Sequence, residues 1–200
     1  MPRGRPRKTD PEKALEAAMH LFWEKGYAAT SMADLSAATG YAKPGLYANF
    51  GDKEALYKKA LTHYYCELGI PLIEELIASQ DPLAVTLRRF LTAVAHSVTG
   101  NGTPKGCFIV NSAFDCSNAE DSLKELSKSY NLARRDAFRT LLAKAQAKGQ
   151  LPLDADTQVL AGFFAGQSAA LAAMAHSGAS LEELEAMVEI ALKVLPSERR

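Results

Sequence analysis

Residues 31–50, SMADLSAATGYAKPGLYANF, constrain this chain more than any other stretch, because they read as two short helices joined by a tight turn. Ser31 is placed to cap the first helix, and Met32, Leu35 and Ala38 recur every three residues on one face. Gly40 is the residue type that most easily takes the left-handed conformation ending a helix, so Thr39-Gly40-Tyr41 is the expected turn. Pro44 suits the first turn of the second helix, where its missing N–H is not needed, and Leu46 and Phe50 share a face at i and i+4. Lys43, Tyr47 and Asn49 are left outward. A helix with an apolar back and a front of cation, phenol and amide has the form that lies in a DNA major groove.

The stretch Gly45-Leu46-Tyr47-Ala48-Asn49-Phe50-Gly51-Asp52-Lys53-Glu54-Ala55-Leu56 resembles the signature of the TetR family of transcriptional regulators, as do Gly26 to Met32 and Asp34-Leu35 upstream. The resemblance covers about residues 10 to 66. It implies an all-α fold of about nine helices, a three-helix DNA-binding domain followed by a larger ligand-binding and dimerisation domain. Three residues depart from the pattern: Ala42 stands where the family often has a capping serine, Gly45 where it has threonine or serine, and Tyr41 where it has a small aliphatic residue.

The 23 Lys and Arg balance the 23 Asp and Glu, but unevenly: residues 1–65 carry ten basic against seven acidic side chains, which leaves the remainder acidic. A neutral chain of this kind still binds DNA through one basic surface. By inspection, no apolar run approaches the roughly 20 residues of a membrane span, and the N-terminus lacks the apolar segment of a signal peptide, so a cytoplasmic protein is expected. Three cysteines without framework spacing fit reduced thiols.

Residues 1–9, MPRGRPRKT, form a basic arm in which Arg3-Gly4-Arg5-Pro6 resembles an AT-hook core, whose arginines enter the narrow minor groove of A·T-rich DNA. Thr9 or Asp10 starts a first helix with Leu15, Ala18, Met19 and Phe22 on its core face; Trp23, one residue off that stripe, is expected to cover the domain's edge. Asp52 caps a connector helix running towards Gly69-Ile70-Pro71, with Lys53 at its first turn, placed to meet a phosphate. Helices are then expected over about 71–79, 82–99, 104–115, 120–148, 154–177 and 180–195. The domains are therefore 1–9 (arm), 10–66 (DNA-binding, motif 31–50) and 67–200 (effector-binding and dimerisation).

Small residues surround the helix around Leu160 to Ala175 on nearly every side, and the last helix carries a stripe of Leu181, Leu184, Met187, Val188, Ala191 and Leu195. Together they are expected to form a two-fold, four-helix dimer interface that sets two recognition helices on half-sites of a palindromic operator in double-stranded DNA. Candidate DNA contacts are Arg3, Arg5, Arg7, Thr30, Ser31, Lys43, Pro44, Tyr47, Asn49 and Lys53. Candidate lining of an effector pocket is His96, Cys107, Phe108, Asn111, Phe114, Tyr130, Arg134, Phe138, Phe163 and Gln167, a mostly apolar set with a few polar groups.

The leading reading is a repressor released from its operator by an unidentified small molecule. A second has the same scaffold sensing electrophiles or oxidants through Cys107, near a helix N-terminus beside Lys105, with Cys116 a further thiol; a small buried hydrophobe is the preferred account of Cys107. A third, a cysteine enzyme with His96 as base, lacks a phosphate loop, nucleophile elbow or acid–base pair. His63 and Cys66 at i and i+3 are two ligands without a third, so neither a metal nor another cofactor is expected.

Overall fold

A computed structural model describes residues 10–100, 102–115 and 121–196, of which 114 and 115 are described by their backbone alone. The basic arm with Arg3, Arg5 and Arg7, and Cys116, lie outside the described residues. Among the described residues, ten α-helices carry the fold: α1 (Pro11–Lys25), α2 (Met32–Thr39), α3 (Lys43–Phe50), α4 (Lys53–Tyr64), α5 (Ile70–Ala78), α6 (Leu83–Val98), α7 (Phe108–Asp115), α8 (Asp121–Ala147), α9 (Thr157–His176) and α10 (Leu181–Leu192). A π turn, Tyr65–Gly69, joins α4 to α5 without a break; counted as one rod, these make nine helices among the described residues, in line with the about nine that the resemblance implies, although the sequence reads the connector and 71–79 as separate.

The sequence suggests one connector helix up to Gly69, and the π turn has a local cause. Ile70 N–H reaches back five residues to the Tyr65 carbonyl, and Pro71 beyond it has no N–H to resume the i−4 ladder. A Cβ on Gly69 would lie 2.6 Å from Tyr65 Cδ2, so only glycine lets that ring fold back over the turn. The ring then stacks on Tyr130 of α8, 4.1 Å between centroids. Helix α7 also differs from expectation, starting at Phe108 rather than near 104.

Two apolar cores result. The first collects Phe22, Leu35, Leu46, Phe50, Leu56, Tyr57 and Leu61 from α1–α4, and it extends beyond the DNA-binding helices to take in Phe108, Ile109 and Leu123. The second lies between α5, α6, α8, α9 and α10, around Leu87, Leu91, Phe138, Leu142, Phe164 and Leu184. Cys107 packs against both. Phe108 presents its ring edge-on to Tyr57 and Tyr64, with centroids 5.3 and 5.8 Å away, so α7 is the wedge between the two regions. Helix α8 is tied to α4 as well: Ser122 Oγ donates to Glu54 at 2.6 Å and Tyr130 OH to Thr62 Oγ1 at 3.0 Å.

Helix α9 corrects the reading that no segment is long and apolar enough to cross a membrane: by length and composition alone, Thr157–His176 is. Its apolarity serves packing here, since Leu160, Ala161, Phe164, Leu171 and Ala172 are buried in the second core.

Candidate nucleic-acid interface and effector cavity

The helix-turn-helix is held by bonds within a few residues of one another. Ser31 Oγ accepts from Asp34 N–H at 3.1 Å while Asp34 Oδ2 accepts from Ser31 N–H at 2.9 Å and from Ser31 Oγ at 2.6 Å, a complete capping box. These bonds from Ser31 hold the Asp34 carboxyl below the usual carboxylate range, and Lys25, 3.7 Å away, adds to the effect. Gly40 takes φ 71°, the left-handed end of α2. Ala42 occupies the N-cap of α3 without a side-chain bond, as its departure from the family pattern implies. The other two departures are one feature: a Cβ at Gly45 would lie 3.0 Å from Tyr41 Cδ1, so the larger residue at 41 needs the smaller one at 45. Tyr41 then meets Phe50 edge-on.

Leu46 and Phe50 are buried, which fixes the opposite face of α3 outward. Lys43, Pro44 and Asn49 are exposed there, and Tyr47 is 52% exposed. Asn49 Nδ2 donates to the Gly45 carbonyl at 2.7 Å, and Lys59 Nζ to the Asn49 carbonyl at 3.3 Å. Lys53 lays its ammonium 4.4 Å above the Tyr27 ring, and partial burial lowers its pKa. Thr30 is different: it is buried, with its hydroxyl donating to the Gly26 carbonyl at 2.7 Å. Its side chain shapes the α1–α2 turn and presents no surface to DNA, which corrects its assignment as a contact.

A cavity of about 490 Å³ opens beside the connector. Trp23, Tyr64 and Tyr65 wall it on the side of the DNA-binding helices, Leu72 and Ile73 come from α5, Phe90 and Val94 from α6, and Tyr130 and Arg134 from α8. This volume is within the roughly 300–1,000 Å³ of small-molecule sites. Tyr64 OH donates to Cys107 Sγ at 3.4 Å. Burial, and next the Cys107 sulfur, raises the Tyr64 pKa well above that of a free phenol. Arg134 Nη2 donates to Asn131 Oδ1 at 2.5 Å. Trp23 Nε1 and Arg134 Nε are buried and have no acceptor among the described residues.

The family model described as "Bacterial regulatory proteins, tetR family" matches residues 14–60, and that described as "Tetracyclin repressor-like, C-terminal domain" matches residues 84–194. The chain is 34% identical to the HTH-type transcriptional repressor ComR of Escherichia coli (strain K12), over 97% of this chain and 92% of that protein. It is 29% identical to the repressor BdcR of the same strain, over 94% and 90%. Among solved structures, a cysteine mutant of the TetR family transcriptional regulator CifR, complexed with 26-bp double-strand operator DNA, superposes with a TM-score of 0.89 at 30% identity, covering 96% of this chain and 100% of that one. The chain belongs to the TetR family. It is a DNA-binding transcriptional regulator.

For this TetR-family regulator, four of the nine expected pocket residues whose side chains are described line the cavity: His96, Cys107, Tyr130 and Arg134. His96 is exposed at its rim and bonded to Glu185 at 3.2 Å, so neither it nor Cys107 is bonded to the other. Phe108 belongs instead to the wedge against Tyr57 and Tyr64. Phe138 packs between Phe90 and Phe164 in the second core, and Phe163 lies against that core. Asn111 and Gln167 are half-buried away from the lining, and the side chain of Phe114 is outside those described.

Trp23, Tyr64 and Tyr65 are among the lining residues that sequence reasoning missed, with Leu72, Ile73, Phe90 and Val94. Trp23 is 4% exposed and sits edge-on to Tyr64 rather than at the domain's margin. The adjacent pair Tyr64-Tyr65 just before Gly69 was the available signal, because neighbouring side chains on a helix point about 100° apart and two large aromatics there widen the face beyond the packing stripe. Cys107, half-buried between the two cores and bonded to a phenol, fits its preferred account as a small packed side chain.

Proposed function

We propose that this regulator is a homodimeric repressor that holds a palindromic operator through the exposed face of α3 and lets go when a small molecule enters the 490 Å³ cavity. One observation carries the reading: Tyr64 and Tyr65, which wall the cavity, stand at the end of the helix whose first turn carries Lys53 beside α3. A molecule that favours one arrangement of that wall thereby favours one placement of the recognition helix, and it shifts the equilibrium by the difference in its affinity for the two. Repressors among the relatives and operator DNA on a structural neighbour support the direction.

The DNA-binding unit is 10–66 and the effector and dimer unit 67–200. Ser31, Lys43, Pro44, Tyr47, Asn49 and Lys53 are assigned to the DNA, with Arg3, Arg5 and Arg7 of the arm 1–9 in the flanking minor groove. The dimer forms through α9 and α10. Val159, Met174, Ile190 and Val194 are exposed apolar residues there, and Cβ atoms on Gly162 and Gly166 would meet open space, so a partner helix can approach closely. Its place of action is the cytoplasm, and no catalytic step is assigned to it.

The test is selection of bound duplexes from a random pool with the purified protein, alongside its mass in solution. A palindrome with half-sites about 34–36 Å apart or a multiple of that, bound by a particle of twice 21.6 kDa, is expected. A monomer that enriches no sequence overturns the reading.

A further inference from the structure

Arg134 lies in the cavity wall with no carboxylate in ion-pair reach among the described residues. Arg134 donates to a neutral amide, Asn131, and its Nε has no acceptor among the described residues. Trp23 Nε1, on the same wall, also lacks one among the described residues, and the Tyr64 hydroxyl donates to a thiol sulfur, a weak acceptor. A guanidinium stays charged in proteins, so this wall holds a positive charge and a surplus of donors beside apolar side chains. Such a charge is costly unless something negative meets it.

Nothing negative among the described residues of the wall does so. Glu75 lines the cavity but is engaged by Arg89 at 3.2 Å, and Glu67 is exposed on the π turn. The groups that act electrostatically on Arg134 are Cys107 and Tyr64, and burial outweighs both in lowering its pKa.

We infer that the cavity takes an amphiphilic organic anion, a carboxylate on an alkyl or aryl body, with its head against Arg134 and its body among Leu68, Leu72, Phe90 and Val94. This rests on the reading of the cavity as the effector site and names the ligand's class. The charge sets the head group, because a cation would face a like charge in a place where water screens it poorly. The apolar side chains set the body, because burying it there removes its surface from water.

The experiment titrates the intact protein with decanoate, decan-1-ol and decylamine, each below its aggregation concentration. Calorimetry gives the affinity, and fluorescence of Trp23, the single tryptophan and a lining residue, reports occupancy of the cavity. Decanoate is expected to bind at least tenfold more tightly than the alcohol, with the amine weakest, and each to move the Trp23 emission. Arg134→Gln should abolish the preference while leaving the alcohol within about twofold. Arg134→Lys, which keeps the charge, should retain a preference, an outcome that loss of structure would not give. Alcohol or amine binding as tightly as decanoate, or a preference that survives Arg134→Gln, overturns the ligand class and leaves the effector site standing. No binding by any of the three, with Trp23 emission unchanged, overturns the class and the effector site together.

Discussion

Asp10, Ser31 and Asp52 each accept a hydrogen bond from the first turn of the helix they precede, whereas Trp23 Nε1 and Arg134 Nε, in the cavity wall, find no acceptor among the described residues. The first set satisfies its polar groups within three residues of sequence, so α1, α2 and α4, the helices that frame α3, are held before any partner arrives. The second is assembled from α1 and α8, far apart in the chain, and leaves donors facing apolar neighbours. A DNA-reading surface needs stiffness, and its exposed Lys43 and Tyr47 lose little by waiting in water. A ligand cavity gains selectivity from buried groups whose cost only the right molecule offsets.

The sharpest way to break this comparison is at the wedge. Phe108 is buried between Tyr57 and Tyr64 although it belongs to α7, so the two regions share part of one core. Phe108→Ala should cost about 3–5 kcal/mol, as expected for a buried aromatic, and lower the melting of both regions together. Separate transitions in scanning calorimetry, with that of the DNA-binding helices unmoved, would show the regions to be independent.

Smaller, and confined to one side, is the effect of Tyr47→Ala. The residue is half exposed on α3, so its loss should weaken operator binding about tenfold, or 1.4 kcal/mol, with thermal unfolding unchanged. Lys53→Ala should in addition flatten the dependence of log affinity on log salt by up to about one unit. Operator titrations at several salt concentrations decide both, and normal affinity in both variants would remove α3 and the start of α4 from the interface.

The same contrast explains what could be read from the sequence. The caps at Ser31 and Asp52, the left-handed Gly40 and the burial of Leu46 and Phe50 depend on neighbours within a turn or two, and each is found as the residue order implies. Helix order through α10 follows for the same reason. The cavity depends on which faces of distant helices converge, and aromatic residues on α7, α8 and α9 look alike in sequence whether they line a cavity or fill a core. Phe108, Phe138 and Phe163 fill or flank cores, while Trp23 and the Tyr64-Tyr65 pair line the space. Thr30 shows the limit inside the motif itself, because one hydrogen bond to Gly26 turned a candidate contact inward.

The start of α3 can be sharpened by a gain. Ala42 has extended geometry at the N-cap, φ −63° and ψ 150°, and makes no side-chain bond. Pro44 has no N–H to offer, so a serine hydroxyl at 42 would accept from Gly45 N–H. Ala42→Ser should therefore stabilise the chain by about 0.5–2 kcal/mol in denaturant titrations. An unchanged midpoint would mean that the crowding of Tyr41 against Gly45 bars the capping rotamer.

The smallest effect tests whether the local bonds of α2 hold as drawn. The hydrogen bonds from Ser31, with a lesser contribution from Lys25, lower the folded-state pKa of Asp34 below the roughly 3.9 of a free aspartate. Between those two values the unfolded chain binds the proton that the folded chain does not, so stability rises with pH there. The contribution is complete above the free value and is lost as pH falls through the depressed folded one. Because Asp34 is at the surface, the step should be slight, and it should shrink further in Ser31→Ala, which removes the hydroxyl's share of the capping box. Chemical-shift titration of the Asp34 carboxyl carbon gives the answer residue by residue. A midpoint at or above 3.9 in the native chain would mean that the capping box is not maintained in solution, and with it would go the claim that α2 is fixed by its own first turn.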